Sequence, residues 1–103
     1  MSQWNELCAL EDIPRLGSRT VETDRGRLAV FRTADDRVFA LNDRCPHKGG
    51  PLSQGIVSGN RVTCPLHSWL IDLEKGEAVV PDAGCVKRHE ARVEDGRVLL
   101  RLA

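Results

Sequence analysis

Cys45-Pro46-His47 and Cys64-Pro65-Leu66-His67 each set a cysteine beside a histidine, as C-x-H and C-x-x-H, with residues 48–63 between them. Two thiolates and two imidazoles are enough to hold a metal centre. The order Cys-His then Cys-His suits a binuclear iron–sulfur cluster with the cysteines on one iron and the histidines on the other. A structural zinc site is the competing reading. Zinc accepts two Cys and two His, but its finger patterns usually pair Cys with Cys and His with His. A cluster implies single-electron chemistry, whereas zinc implies a purely structural motif.

The remaining chemistry-bearing residues are sparse. Cys8 and Cys85 lie far from each other and from both motifs. They read as two buried reduced thiols, with a Cys8–Cys85 disulfide as the alternative. His89 has no second ligand nearby and reads as an ordinary surface or strand histidine. Trp4 and Trp69 read as packing residues rather than electron relays. The carboxylates are scattered over turns and strands, and no Ser-His-Asp order stands out, so no catalytic residue is assigned. Arg15, Arg19, Arg25, Arg27, Arg32 and Arg37 read as a solvated face, or equally as a dock for an acidic partner.

The elements that must position the motifs are short strands and turns. Arg27–Phe31 and Arg37–Leu41 flank Thr33-Ala34-Asp35-Asp36 and predict a hairpin. Arg61–Cys64 predicts a short strand leading into the second motif. Trp69–Leu73 and Ala78–Val80 flank Glu74-Lys75-Gly76-Glu77, with Gly76 suited to positive φ. Arg88–Val93 and Arg97–Leu102 flank Asp95-Gly96, the strongest short hairpin signal in the chain. One helical turn is expected near Leu10-Glu11-Asp12-Ile13, stopped by Pro14. No segment sustains an amphipathic helical period, so the fold class is all-β and antiparallel.

Between Asn42 and Trp69 the texture changes, with Pro46, Gly49, Gly50, Pro51, Gly55, Gly59 and Pro65 breaking regular strands into loops. The expected organisation is a single domain, 1–103, in which a β base (about 1–41 and 70–103) carries an inserted cluster-binding subdomain (about 42–69). Both motifs would then meet at its tip. Gly49 and Gly50, lacking Cβ atoms, could bring backbone N–H groups close to cluster sulfides, and Pro46 and Pro65 would stiffen the loops.

The chain has 103 residues, with fifteen basic and fifteen acidic side chains. With no basic stripe interleaved with aromatics, nucleic acid is excluded as the expected partner. No apolar run approaches the roughly 18–20 residues of a membrane span. The segment Met1–Glu6 has neither the basic nor the apolar region of a secretory signal, so a cytoplasmic location is expected.

The run Cys45-Pro46-His47-Lys48-Gly49-Gly50-Pro51-Leu52-Ser53-Gln54-Gly55, followed by Val62–Leu73, resembles the Rieske 2Fe–2S proteins. Within them it is most similar to the small subunit of bacterial assimilatory NAD(P)H-dependent nitrite reductase. The resemblance extends along nearly the whole chain, from Trp4–Pro14 to the hairpin around Asp95-Gly96. It implies a Rieske-type antiparallel β-sandwich base with the two cluster loops inserted. Cys45 and Cys64 would bind one iron through sulfur, and His47 and His67 the other through Nδ1. Two neutral imidazoles in place of thiolates make the cluster less negative and raise its potential above that of an all-cysteine cluster.

The implied partner is a large nitrite reductase subunit carrying flavin, an iron–sulfur cluster and siroheme, which reduces nitrite to ammonium with electrons from NAD(P)H. No activity is expected of the isolated chain. The alternative is a stand-alone ferredoxin passing electrons from a reductase to a ring-hydroxylating dioxygenase or other oxygenase. A weaker third reading is a redox-sensing module. High-potential relatives in cytochrome bc complexes carry a disulfide across the loops, but Gly50 and Leu66 hold those positions here. Those relatives also bring Ser and Tyr hydroxyls to cluster or cysteine sulfur, where this chain has Trp69 and Ile71, and it contains no Tyr. The resemblance therefore implies a potential near the low end of the Rieske range. It also matches Pro81 to a loop that packs over the cluster in related proteins.

Overall fold

The computed structural model describes residues 4–24, 26–45, 50–65, 68–79 and 84–102. Its strands are β1 Asn5–Ala9, β2 Ser18–Thr23, β3 Gly26–Arg32, β4 Val38–Asn42, β5 Ile56–Ser58, β6 Arg61–Thr63, β7 Leu70–Asp72, β8 Glu77–Ala78, β9 Arg88–Glu94 and β10 Arg97–Arg101. Single 3-10 turns at Leu10–Asp12 and Leu52–Gln54 are the only helical pieces among the described residues. The all-β expectation holds.

Two apolar runs organise the molecule. Leu28-Ala29-Val30-Phe31 in β3 and Val38-Phe39-Ala40-Leu41 in β4 are buried at every position. A strand covered on both faces reads as a continuous apolar run rather than an alternation. Side chains of a strand alternate between faces, and here the alternation divides two cores. Ala29, Phe31, Phe39 and Leu41 point to one core, with Leu52, Val57, Val62, Ile71, Leu73, Cys45 and Cys64. Val30, Val38 and Ala40 point to the other, with Cys8, Ile13, Val98 and Leu100.

The larger sheet has the order β1-β10-β9-β4-β3-β2 and is antiparallel throughout. Its edge strands β1 and β2 both line one apolar cleft of about 220 Å³, so the sheet curls around the second core. The smaller sheet, β5-β6-β7-β8, covers the opposite face of β3 and β4.

Several expectations need revision. The segment Leu70–Ala78 does not return to the base: β7 pairs with β6 and β8 with β7, so the second sheet extends past residue 69. β1, β2 and β5 were not anticipated: the burial of β1 and β2 shows no clean alternation of two faces, and β5, though it alternates, is only three residues long. Cys8 and Cys85 are both free, but only Cys8 is buried, and its burial pushes the thiol pKa up; Cys85 is exposed. His89 lies in β9 as expected but is buried, not on the surface, and its Nε2 is 2.9 Å from Asn42 Oδ1.

The arginines stay at the surface, as a solvated face would, and several of them form ion pairs there; only Arg32 is mostly buried, and Arg25 lies outside the described residues. Arg15 and Arg32 pair with Asp36, Arg27 with Glu22 and Arg37 with Glu74. Trp4 serves as a packing surface, with the Arg92 and Arg101 guanidinium carbons 4.2 and 4.8 Å from its ring centroids. No helix among the described residues is long and apolar enough to cross a membrane.

Candidate metal centre

Both cysteines of the motifs sit at the mouths of short loops, and both loops close in the same way. The Cys45 N–H donates to the Gly50 carbonyl at 2.7 Å, and the Cys64 N–H donates to the Trp69 carbonyl at 2.7 Å. Each cysteine thus reaches five residues ahead and encloses a loop of four, 46–49 in one case and 65–68 in the other. The second closure continues the β6–β7 ladder past its last pair, Thr63↔Leu70. A further bond from the Ser68 N–H to the Cys64 carbonyl, at 3.1 Å, tightens that turn, and Ser68 takes a left-handed φ of 59°. The spacing in sequence therefore has a structural counterpart: each cysteine opens a loop closed five residues on, and in sequence its histidine falls between the two closing residues.

The cysteine side chains belong to one apolar core and are each 2% exposed. Neither is in a disulfide. The expected flank of the second motif behaves as read, since Trp69 is half-buried against this core and Ile71 fully buried within it. His47 and His67 lie outside the described residues, as do Pro46, Gly49 and Pro81. Accordingly, no group of three or more metal-ligating side chains is found among the described residues. Gly50 is buried, and the role seen for it is through its carbonyl, which closes the first loop.

The stems of the two loops are packed tightly. A Cβ built on Gly55 would lie 2.2 Å from the Thr63 carbonyl oxygen and 3.1 Å from that of Leu52. Only glycine allows the chain leaving the first loop to pass so close to the strand that delivers Cys64.

Sequence reasoning missed Asp43 and Ser53. The Ser53 N–H donates to Asp43 Oδ1 at 2.7 Å and the Ser53 hydroxyl to Asp43 Oδ2 at 2.8 Å. No local pattern announces this pair, because it depends on the path of the intervening loop.

Chemically, the donor set fits a soft-metal centre. An uncompensated thiolate is costly in an apolar core. Two cysteines outside any disulfide, brought into one core by matching loops, are therefore placed either to remain inert thiols or to be compensated by metal. The histidine in each loop favours metal. Cysteine sulfur with histidine nitrogen is a donor set that an iron–sulfur centre uses.

Known proteins bear on the same residues. A family model described as the Rieske [2Fe-2S] domain matches residues 3–90. The chain is 34% identical over 108 residues to the nitrite reductase (NADH) small subunit of Escherichia coli, covering 98% of this chain and 99% of that protein. It is 32% identical over 99 residues to the anthranilate 1,2-dioxygenase ferredoxin subunit of Burkholderia cepacia, covering 95% and 91%. Among solved structures, a Mycobacterium tuberculosis chain described as an NADH-dependent nitrite reductase small subunit superposes with a TM-score of 0.88 at 26% identity. That match covers 100% of this chain and 97% of the other. Other relatives are far longer, and the chain spans only 12–23% of their length.

Proposed function

Because the chain belongs to the Rieske [2Fe-2S] family, we propose that it is the iron–sulfur small subunit of a cytoplasmic NAD(P)H-dependent nitrite reductase, with Cys45 and Cys64 on one iron and His47 and His67 on the other. The cofactor of the family is a Rieske-type 2Fe–2S cluster, which supplies one-electron chemistry when bound. The chain's own residues hold and shield it. Cys45 and Cys64 provide buried sulfur, and the apolar core around Leu52, Ile71 and Leu73 keeps water from that side. The reduction of nitrite to ammonium belongs to a large flavin- and siroheme-carrying partner.

The observation that carries this reading is end-to-end similarity to a nitrite reductase small subunit combined with the paired cysteine loops. A second reading, a ferredoxin serving a ring-hydroxylating oxygenase, draws on the similarity to a dioxygenase ferredoxin over nearly the same length. Affinity capture from cells grown on nitrate separates the two. Co-purification of a large siroheme protein supports the first. Reduction by a dioxygenase reductase, with turnover of its oxygenase, supports the second. For the ligands themselves, purified protein should contain two irons and two acid-labile sulfides, and Cys45→Ser or Cys64→Ser should abolish them. One zinc in a colourless protein would overturn the assignment.

The potential should be low for this class. Ile71 is apolar, Trp69 carries no hydroxyl, and the chain has no Tyr to offer sulfur a hydroxyl donor. Fewer such bonds leave cluster charge less stabilised. A redox titration should give about −150 mV, the lower end for such centres, and a clearly positive value would contradict this.

A further inference from the structure

The first cysteine loop is closed twice. The inner closure is the Cys45 N–H to Gly50 carbonyl bond, at 2.7 Å. The outer one is the bracket from Asp43 to Ser53, with both carboxylate oxygens engaged, at 2.7 and 2.8 Å. This bracket is itself anchored to the base. The Ser18 hydroxyl on β2 donates to the Ser53 carbonyl at 2.7 Å, and the Asp43 N–H donates to the Arg27 carbonyl on β3 at 2.9 Å. Both ends of the segment are thus fixed to each other and to two neighbouring strands. Between them lies Gly50, whose carbonyl takes the inner closure, so the bracket holds the ends of the loop from outside it.

We infer that Asp43 is a positioning residue for the metal centre: its bracket to Ser53 sets the span of the first loop and so holds the Cys45 sulfur where a cluster shared with Cys64 requires it. This rests on the reading of Cys45 and Cys64 as ligands. Groups that orient metal ligands typically alter metal affinity by about 10–100-fold when removed.

The test uses the full chain reconstituted with iron and sulfide, as wild type, Asp43→Ala, Asp43→Asn and Ser53→Ala. Loss of visible absorbance to an iron chelator reads retention. The g values of the reduced protein read cluster geometry, and melting of the metal-free forms reads folding. Asp43→Ala should lose its cluster about 10–100-fold faster than wild type, with shifted g values in the fraction still loaded. Asp43→Asn keeps an oxygen for the Ser53 N–H and should stay close to wild type on both readouts. Ser53→Ala keeps one of the two bonds and should fall between.

Wild-type retention and g values in Asp43→Ala would overturn the inference. So would equal loss from Asp43→Ala and Asp43→Asn, which would point to charge rather than span. If Asp43→Ala does not fold, Ser53→Ala decides: faster loss supports the bracket, and wild-type retention refutes it. Wild-type protein without acid-labile sulfide defeats the ligand assignment itself, and the inference with it, before any substitution is compared.

Discussion

Leu16 occupies left-handed backbone at φ 60° in the turn that the Gly17 N–H closes onto the Pro14 carbonyl at 2.9 Å. Its side chain is 45% exposed, so little packing offsets the conformation. Left-handed geometry costs an L-residue roughly 1–2 kcal/mol, while glycine costs about 0.5–1 kcal/mol of extra chain entropy. Leu16→Gly should therefore stabilise the fold by about 0.5–1 kcal/mol, measured as a rise in the thermal midpoint; a fall would show that the Leu16 side chain contributes more than its exposure implies. Asp36 is another left-handed residue, but Asp tolerates that region better. The hydrogen bond from Arg32, followed by the charges of Arg15 and Arg32, holds its carboxyl below the usual range. A carboxyl whose pKa is lowered by folding adds stability above its unfolded value, about 3.9, and that stability disappears as pH falls through the folded value. Asp36→Asn should thus be less stable than wild type at neutral pH, with the gap closing below about pH 4. Melts between neutral and acid pH would show the convergence, and a constant gap would locate the contribution of Asp36 elsewhere.

Gly55 shows how one residue governs the meeting of two elements. It follows the 3-10 turn Leu52–Gln54 and precedes β5, where the Thr63 carbonyl oxygen of β6 leaves no room for a Cβ. Its φ is −80°, within reach of any residue, so the requirement is space and not conformation. Gly55→Ala should force β5 away from β6, with a cost of about 1–3 kcal/mol by the usual penalty for overpacking. Because β6 runs directly into Cys64, cluster content should fall with it; unchanged stability and iron content would mean that the strands part freely. Elements of this kind divide into those legible in the sequence and those that were not. The β9–β10 hairpin was legible because Asp95 and Gly96, at φ 50° and 74°, form the turn that Asp-Gly favours. β3 and β4 were legible from their apolar runs. β1 and β2 were not, since Asn5-Glu6-Leu7-Cys8-Ala9 and Ser18-Arg19-Thr20-Val21-Glu22-Thr23 form the edges of a curled sheet and are polar at many positions. The β7–β8 hairpin was read correctly, but its sheet was not, because partner choice between sheets is a long-range matter. At the candidate metal centre, the cysteine and histidine spacing singled out the proposed donors, and of these the structure describes Cys45 and Cys64. The closure of both loops by cysteine N–H groups and the Asp43–Ser53 bracket depend on the folded path of the backbone, which residue type alone does not encode.

At the scale of the whole molecule, the two sheets differ in what holds them together. β3, β4, β9 and β10 are five to seven residues long and share extended ladders. β5 to β8 are three, three, three and two residues long. Strands this short have little ladder of their own, so the smaller sheet depends on the core it shares with β3 and β4. Cys45 and Cys64 lie in that core, one from each loop, and a bound cluster would tie the loops across it. Metal binding to a site that exists only in the folded chain adds its free energy to folding. Removing iron and sulfide should consequently act unevenly. Amide exchange should accelerate most in Asp43–Cys45 and in β5 to β8, while β3, β4 and β10, packed around Val30, Val98 and Leu100, should keep most of their protection. The thermal midpoint should also fall. Hydrogen-exchange mass spectrometry on loaded and metal-free protein measures both regions in one experiment. Equal acceleration across both sheets would mean that the molecule opens as a single unit, and no acceleration would mean that the smaller sheet stands on its apolar core alone. The predicted gradient follows because a cluster would tie Cys64, at the end of β6 in the less self-sufficient sheet, to Cys45, which follows β4 of the larger one, so that its loss would release the smaller sheet first.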